Sequence, residues 1–291
     1  MTRIAVLLTC HNRCEKTQAA LRALFANHLP EDTSLYVVLV DDGSTDGTAA
    51  AISREFSQVE ILHGDGQLFW NRGMHRAQQI AVRSSPDFLL WLNDDTILVP
   101  DALRHLVNAY EKLRVEHGCE VMVGGATVDG SSGVLTYGGL APISRMRKFS
   151  FRKVPIANEP RKCEAMNGNI VLVPRSIYEC VGPLDPAFEH ALGDIDYALR
   201  VNAAGFAVFV AQGFQGYCSA NMTEGTYLDT ALPARNRWGK FKGRKGLPVA
   251  SWRHFVRRHS GGLWPLYFMW PYVNFALRLS RDEVLSRVTH D

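Results

Sequence analysis

The sequence predicts an α/β protein built on a mostly parallel, Rossmann-like sheet flanked by helices, and three observations predict it. Short apolar runs of strand length alternate with stretches of helical periodicity over the first hundred residues, the pattern of repeated strand-helix units. The runs are continuously apolar, as strands buried on both faces are. Three of them stop at acids or glycines, where an open α/β sheet keeps its ligand site. At 291 residues the chain is long enough for one large domain, or for one domain and an appendage.

Ile4 to Thr9 forms the first run, and apolar residues at helical spacing (Ala19, Ala20, Ala23, Leu24) predict a helix over 14–27. A second strand over 35–40 stops at Asp41-Asp42-Gly43-Ser44, a turn cluster in which Ser44 or Thr45 is placed to cap the next helix. A third strand over 59–63 runs into Gly64-Asp65-Gly66. A helix follows over 72–83, and a fourth strand over 88–92 ends at Asn93-Asp94-Asp95. Beyond residue 115 the alternation loosens. Residues 121–139 read as a strand pair with glycine-bearing turns, 142–162 as a basic, proline-bearing loop, 169–174 as a strand and 175–180 as a short helix. A helix over 194–204, with Ile195, Leu199 and Ala203 at four-residue steps, stops at Gly205 before a last strand over 206–210. The expected division is a domain over residues 1–230 and an appendage over 231–291.

Charge sets the appendage apart. The net charge of +3 conceals a split: residues 230–291 hold twelve Lys and Arg against three acids, a net of +9, which leaves −6 for residues 1–229. No acid occurs between Asp229 and Asp282. A segment of that sign implies an anionic partner, whether a phosphate-rich ligand, nucleic acid or lipid headgroups. Within it, residues 261–277 are uncharged, rich in aromatics, and carry Pro265 and Pro271. That run is short of the ~20 apolar residues a membrane span needs. With two helix-breaking prolines and flanking Arg257, Arg258 and Arg278, it is expected to be an interfacial or re-entrant segment. The six cysteines lack the paired spacing of a zinc site and the opening residues lack the form of a signal peptide, so reduced thiols in the cytosol are the expectation.

Three acidic clusters are candidates for chemistry. Asp94 and Asp95, adjacent at the end of an apolar strand, suit a hard divalent ion whose other positions are filled by water and phosphate oxygens. In the plainer reading, Asp95 or Thr96 caps a helix that begins near Pro100. Asp41 and Asp42 also end a strand, where a carboxylate suits a base N–H or a ribose hydroxyl as well as it suits a simple strand-to-helix turn. Asp194 opens a helix whose dipole favours its charge, and is either a general base towards an acceptor hydroxyl or an N-cap. Asp196 and Arg200, four apart on that helix, are expected to pair.

Four motifs in order carry a resemblance. They are Leu8-Thr9-Cys10-His11-Asn12-Arg13 at the first strand end, Val40 to Thr48 at the second, Asn93-Asp94-Asp95 about fifty residues on, and Gly193-Asp194-x-Asp196 about a hundred further. Over roughly residues 3–212 the sequence resembles a family 2 glycosyltransferase of the GT-A fold, inverting type, of the kind that builds bacterial surface polysaccharides. The resemblance implies a nucleotide-diphosphate sugar as donor, UDP- or dTDP-linked, with Mn²⁺ or Mg²⁺ as cofactor. It implies one hexosyl or deoxyhexosyl unit moved per encounter to a glycan or lipid-linked glycan acceptor. By position, Thr9, Asn12, Arg13 and Asp42 would hold the nucleotide, with Gly66, Arg72 and Gly73 by its base or phosphates. Asp94 would touch the ribose, Asp95 the metal, and Asp194 would be the catalytic base. Trp70, Asn167, Gly168 and Asn169 would line the sugar or acceptor side, and Arg237 and Trp238 would contact diphosphate or acceptor. Two departures stand out: Gly193 replaces the acid usual before the base, and Ala234 to Trp238 lacks the Gln of the processive Q-x-x-R-W signature. On its residues alone, the Arg237 segment reads as a surface basic patch.

A sugar nucleotidyltransferase would share the sheet and the nucleotide, but is expected to carry a glycine- and arginine-rich loop where this chain has Thr9 to Arg13. A non-catalytic nucleotide-sugar-binding protein would lack the base. The appendage's uncharged aromatic run suits lipid better than nucleic acid. The expected setting is the cytosolic face of an inner membrane, with the protein peripheral and held to the anionic surface through its tail.

Overall fold

The computed structural model describes residues 1–144, 148–220 and 222–288, the last six by backbone alone. Along the chain the main elements are strand β1 (Thr2–Cys10), helix α1 (Cys14–Phe25), β2 (Thr33–Asp41), α2 (Thr48–Glu55), β3 (Val59–His63), α3 (Phe69–Ala81), β4 (Phe88–Leu92) and α4 (Ala102–His117). There follow β5 (Val121–Gly124), β6 (Arg161–Lys162), β7 (Ile170–Pro174), α5 (Arg175–Val181), α6 (Gly193–Ala203) and β8 (Ala207–Val210). Three helices close the chain: α7 (Ala234–Phe241), α8 (Val249–His259) and α9 (Trp264–Val288).

Every residue of β1 from Ile4 to Cys10 is buried, because alternate side chains go to opposite faces and both faces are covered. Ile4, Val6 and Leu8 share a core with Leu21 and Leu24 of α1, Ile52 of α2, and Leu103 and Leu106 of α4. Ala5 and Leu7 join Met74, Ala77 and Ala81 of α3 with Tyr197, Ala198 and Val201 of α6. A strand lying between two apolar layers has to be apolar at every position, which is the continuous run seen in the sequence. Each such buried aliphatic contributes about 1.5–3 kcal/mol, so the sheet centre is the most strongly held part of this unit.

The eight-stranded sheet has the order β6-β8-β5-β7-β4-β1-β2-β3. β1 pairs in parallel with β2 and β4, β2 with β3, and β8 with β5, whereas β7 runs antiparallel between β4 and β5. The registers Cys10↔Asp41 and Asp41↔His63 align the carboxyl ends of β1, β2 and β3 along one edge. Antiparallel β7 brings its amino end there: Ile170 pairs with Leu92, and the N–H of Asn93 donates to the Asn169 carbonyl at 3.0 Å. Short strands Gly216–Tyr217 and Ile97–Leu98 pair antiparallel and carry Cys218 to the same edge.

Several predicted boundaries shift. α2 begins after Gly47, which is left-handed, and its first turn is capped by Asp46 through the Thr48 N–H at 3.1 Å; Ser44 and Thr45 stand earlier in the turn. α3 starts three residues before the predicted helix, at Phe69. The helix near Pro100 is α4, with Asp101 at its N-cap position, so neither Asp95 nor Thr96 caps it. Asp196 and Arg200 pair as expected, at 2.8 Å.

The chain divides into two compact units, Met1–Pro186 with Gly193–Ala220, and Ala187–Leu192 with Asn221–Asp291. In the second, Gly261–Leu263 form a 3-10 turn and residues 264–277 belong to one continuous helix rather than a proline-broken segment. Pro265 sits in the first turn, where a missing N–H is harmless. Pro271 cannot donate to the Tyr267 carbonyl, and the indole Nε1–H of Trp252 on α8 donates there instead, at 3.3 Å. Phe241 and Phe275 stack at 4.2 Å to form the aromatic centre of this unit.

Candidate active site

The cluster forms along the carboxyl edge of β1, β2 and β4, and its first layer is backbone control. Asn12 adopts a left-handed conformation (φ 51°), tolerated by a short polar side chain. It ties the loop after β1 to the loop after β2: its N–H donates to Ser44 Oγ (2.9 Å), and its Oδ1 accepts from the Thr45 N–H (2.7 Å). His11 Nδ1 meets the Asp42 carbonyl at 2.6 Å.

Asp42 has a task the sequence did not announce. Its carboxylate is buried and accepts three backbone N–H groups, from Gly66 (2.8 Å), Leu68 (2.9 Å) and Phe69 (2.9 Å). It thereby fixes the glycine-rich loop and the start of α3, where Phe69 takes φ 56°, a costly value for an aromatic residue. This is a loop-holding role, which the sequence alone did not indicate. One turn later, α3 lies so close to β1 that a Cβ on Gly73 would overlap the Thr9 hydroxyl. Thr9 and Gly73 are brought together by close packing of helix on strand. Arg72 donates through Nε to the Pro186 carbonyl at 2.9 Å.

The acids after β4 face a cation supplied by the chain itself. Nη1 of Arg13 donates to Asp94 Oδ1 (3.1 Å) and Asp95 Oδ2 (2.7 Å). Burial, with Asp95 alongside, pushes the Asp94 carboxyl up to about 6 against the pull of Arg13. Asp95 has a second neighbour that sequence reasoning missed: the Cys218 thiol lies 3.6 Å from its Oδ1 and receives Asn169 Nδ2 at 3.6 Å. Burial and Asp95 push that thiol up to about 12, so it stays protonated. Nothing in the sequence pointed to Cys218, which is 123 residues from Asp95.

Asn93 carries the cluster onward. Its Oδ1 accepts the indole N–H of Trp70 (2.7 Å), and Trp70 lies against Gly168, where a Cβ would overlap the indole ring. The Gly168 N–H donates to Asp194 Oδ2 at 3.0 Å, and the Asp194 Oδ1 accepts from the Ile195 N–H at 2.9 Å. Burial raises the Asp194 carboxyl to about 6, only partly opposed by these two N–H groups. Asn167 donates its N–H to the Gly138 carbonyl at 3.0 Å, which sets the 167–169 segment. Gly193 explains its own departure from the usual acid. A Cβ there would overlap Oδ1 of Asn71, whose Nδ2 donates to the Asp185 carbonyl at 2.7 Å.

The sequence matches the family described as glycosyl transferase family 2 over residues 5–157, just over half of the chain. The chain belongs to that family. Among solved structures it is similar to the crystal structure of GalNAc-T7 with UDP, GalNAc and Mn²⁺. That likeness has a TM-score of 0.53 and 14% identity, and covers 77% of this chain and 45% of that one. The chain thus spans less than half the length of that relative, and the likeness shows the GT-A fold. No curated protein matches the chain.

The family 2 match takes in Thr9, Arg13, Asp42, Asp94 and Asp95 but ends before Asn167, Gly168, Asn169, Asp194 and Cys218, whose place in the cluster rests on geometry. The donor set at Asp94 and Asp95 fits a divalent cation. Two hard carboxylates already converge on one cationic atom, Nη1 of Arg13, which stands in for such an ion. Among the described residues no group of three or more His, Cys, Asp or Glu is arranged to hold a metal alone. A cation held by these two carboxylates would fill its remaining positions with water and ligand oxygens. Arg237 and Trp238 lie in the second unit. Arg237 is buried rather than part of a surface patch, with Nη1 on Asp282 (2.8 Å) and Nε on the Tyr227 carbonyl (3.1 Å). Trp238 stacks on Phe275 at 6.2 Å.

Proposed function

We propose that this chain is an inverting glycosyltransferase that moves one sugar from a nucleotide-diphosphate donor to a hydroxyl of a glycan or lipid-linked glycan acceptor, with Asp194 as the base. One observation carries the reading: a single run of contacts joins the paired carboxylates Asp94 and Asp95 to Asp194 through Asn93, Trp70 and Gly168. Donor-side charge and acceptor-side base are thus held in one frame. With its carboxyl near 6, Asp194 is ionised at neutral pH yet basic enough to take a proton.

In this reading Asp194 removes the proton of the acceptor hydroxyl. The freed oxygen bonds to the anomeric carbon as the bond from that carbon to the diphosphate oxygen breaks. One in-line displacement inverts the configuration. Asp95, with Asp94 beside it, would hold the Mn²⁺ or Mg²⁺, which supplies positive charge against the departing diphosphate. Asp94 also suits a ribose hydroxyl, and Arg13, once displaced by the metal, is placed to meet the phosphates. Asp42, Gly66 and Gly73 shape the wall against which the nucleoside lies, with Thr9 and Asn12 beneath it. Trp70, Asn167, Gly168 and Asn169 form the sugar side. Residues 1–230 are taken as the catalytic domain, and residues 231–291, with Arg237 and Trp238, as the part that meets the acceptor at an anionic membrane. Assembly of cell-surface polysaccharide at the cytosolic face of an inner membrane fits that arrangement.

The test is release of nucleoside diphosphate from a panel of UDP- and dTDP-sugars with Mn²⁺, repeated on Asp95→Ala. Metal-dependent release that disappears in the variant is expected. Equal release by both proteins would remove Asp95 from the reaction.

A further inference from the structure

Helix α9 carries apolar residues on two opposite faces. Tyr272, Phe275 and Leu279 are buried within the second unit. At 100° per residue, Leu266, Met269, Trp270, Val273 and Leu277 fall on the other side, and all five are exposed, Leu266 at 69% and Trp270 at 65%. Isolated exposed apolar residues are ordinary, but five on one stripe of one helix are not. No charged residue interrupts the chain from 261 to 277.

We infer that α9 lies in the plane of an anionic bilayer surface, with Leu266, Met269, Trp270, Val273 and Leu277 seated among the lipid chains and the arginines of α8 on the headgroups. The apolar stripe is too short for a crossing. The stripe runs about 17 Å along the helix axis, against a hydrocarbon core of about 30 Å. No helix among the described residues is long and apolar enough to cross a membrane. Charge selects the occupant. Arg253 and Arg257, both exposed, line with His254 a cleft of about 250 Å³ on α8. Arg257 lies over the Trp264 ring at 4.6 Å, which places this basic group at the start of the apolar helix. Arg278 and Arg281, exposed, flank its far end. A second copy of a segment with a net charge of +9 would set like charges against each other, whereas anionic headgroups neutralise them. Trp270 suits the headgroup level, where an amphipathic ring is favoured.

This inference rests on the proposed function only in supposing that the acceptor is met at a lipid surface; the docking itself is independent of the chemistry. The experiment is co-sedimentation of the full chain with phosphatidylcholine vesicles, with and without a quarter of phosphatidylglycerol, at low and high salt. Wild type is expected to bind only the anionic vesicles and to be released by salt. The double variant Leu266→Glu/Trp270→Glu should lose binding by more than about 100-fold, and Arg253→Gln/Arg257→Gln by about 30-fold. Circular dichroism and an unfolding midpoint close to wild type in both variants show that they are folded, and nucleoside diphosphate release by wild type without vesicles tests the enzymatic reading separately. Wild type that ignores anionic vesicles, or variants that bind them as well as wild type does, would overturn the inference. So would a wild-type dimer in solution that Leu266→Glu/Trp270→Glu dissociates.

Discussion

Replacing Asp194 by Asn should remove turnover and make the folded protein more stable at neutral pH. The structure gives the magnitude. Burial raises this carboxyl from 3.8 to about 6, so the native state holds the proton more tightly than the unfolded chain. A raised carboxylate stabilises the fold most below its unfolded value, near 4, and loses that contribution as pH climbs through 6. By about pH 7.5 the ionised group withholds up to about 3 kcal/mol, at 1.36 kcal/mol per unit. The amide avoids that penalty but accepts only one of the two N–H groups, Gly168 and Ile195, that the carboxylate holds. The lost bond costs about 1 kcal/mol. The net gain is about 1–2 kcal/mol, or roughly 2–3 °C in the unfolding midpoint. Asp94 titrates over the same range in both proteins and cancels in the comparison. Thermal unfolding followed by circular dichroism at about pH 7.5 should show the gain. At about pH 4.5, where the penalty has shrunk to about 1 kcal/mol, the two proteins should unfold together. Donor turnover in the same variant should fall about 10²- to 10⁴-fold. A variant less stable at both pH values, or one that turns over within a few-fold of wild type, would refute the reasoning.

Other perturbations follow from the same cluster. Between about pH 7 and pH 5 the wild-type turnover at saturating donor should fall about tenfold as Asp194 gains its proton, while protonation of Asp94 appears separately as weaker donor binding in KM. Gly193→Ala places a methyl on Asn71 Oδ1; a loss of about 1–3 kcal/mol in urea unfolding and at least tenfold in turnover is expected, with Gly193→Glu worse. Arg13→Gln frees two carboxylates of their cation, so Mn²⁺ binding without nucleotide should tighten about tenfold by calorimetry, from two partly exposed pairs of at most about 1 kcal/mol each.

The sheet was legible in the sequence because burial on both faces leaves β1, β2 and β4 continuously apolar, and the parallel register then aligns their carboxyl ends. Asp94 and Asp95 were readable for the same reason: two acids directly after a buried strand have few structural uses. The roles of Asp42, Arg13 and Gly193 were not. Each depends on a group brought close by the fold, with Gly66 24 residues from Asp42 and Asp94 81 residues from Arg13. Local pattern carries no trace of such pairings. Pro271 misled in the other direction. The rule that proline ends a helix presumes that nothing else reaches the carbonyl four residues back, and here Trp252 does. Arg237, basic and Trp-flanked, read as surface, whereas Asp282 at 2.8 Å lets it be buried.

The central claim, that Asp95 serves the donor and Asp194 the acceptor in one transfer reaction, is tested most directly by measuring nucleoside diphosphate release with Mn²⁺, with and without acceptor, in wild type, Asp95→Ala and Asp194→Asn. The account predicts acceptor-stimulated release in wild type, none in Asp95→Ala, and in Asp194→Asn retained donor binding with the acceptor stimulation gone. Unchanged acceptor-stimulated release in Asp194→Asn would contradict it.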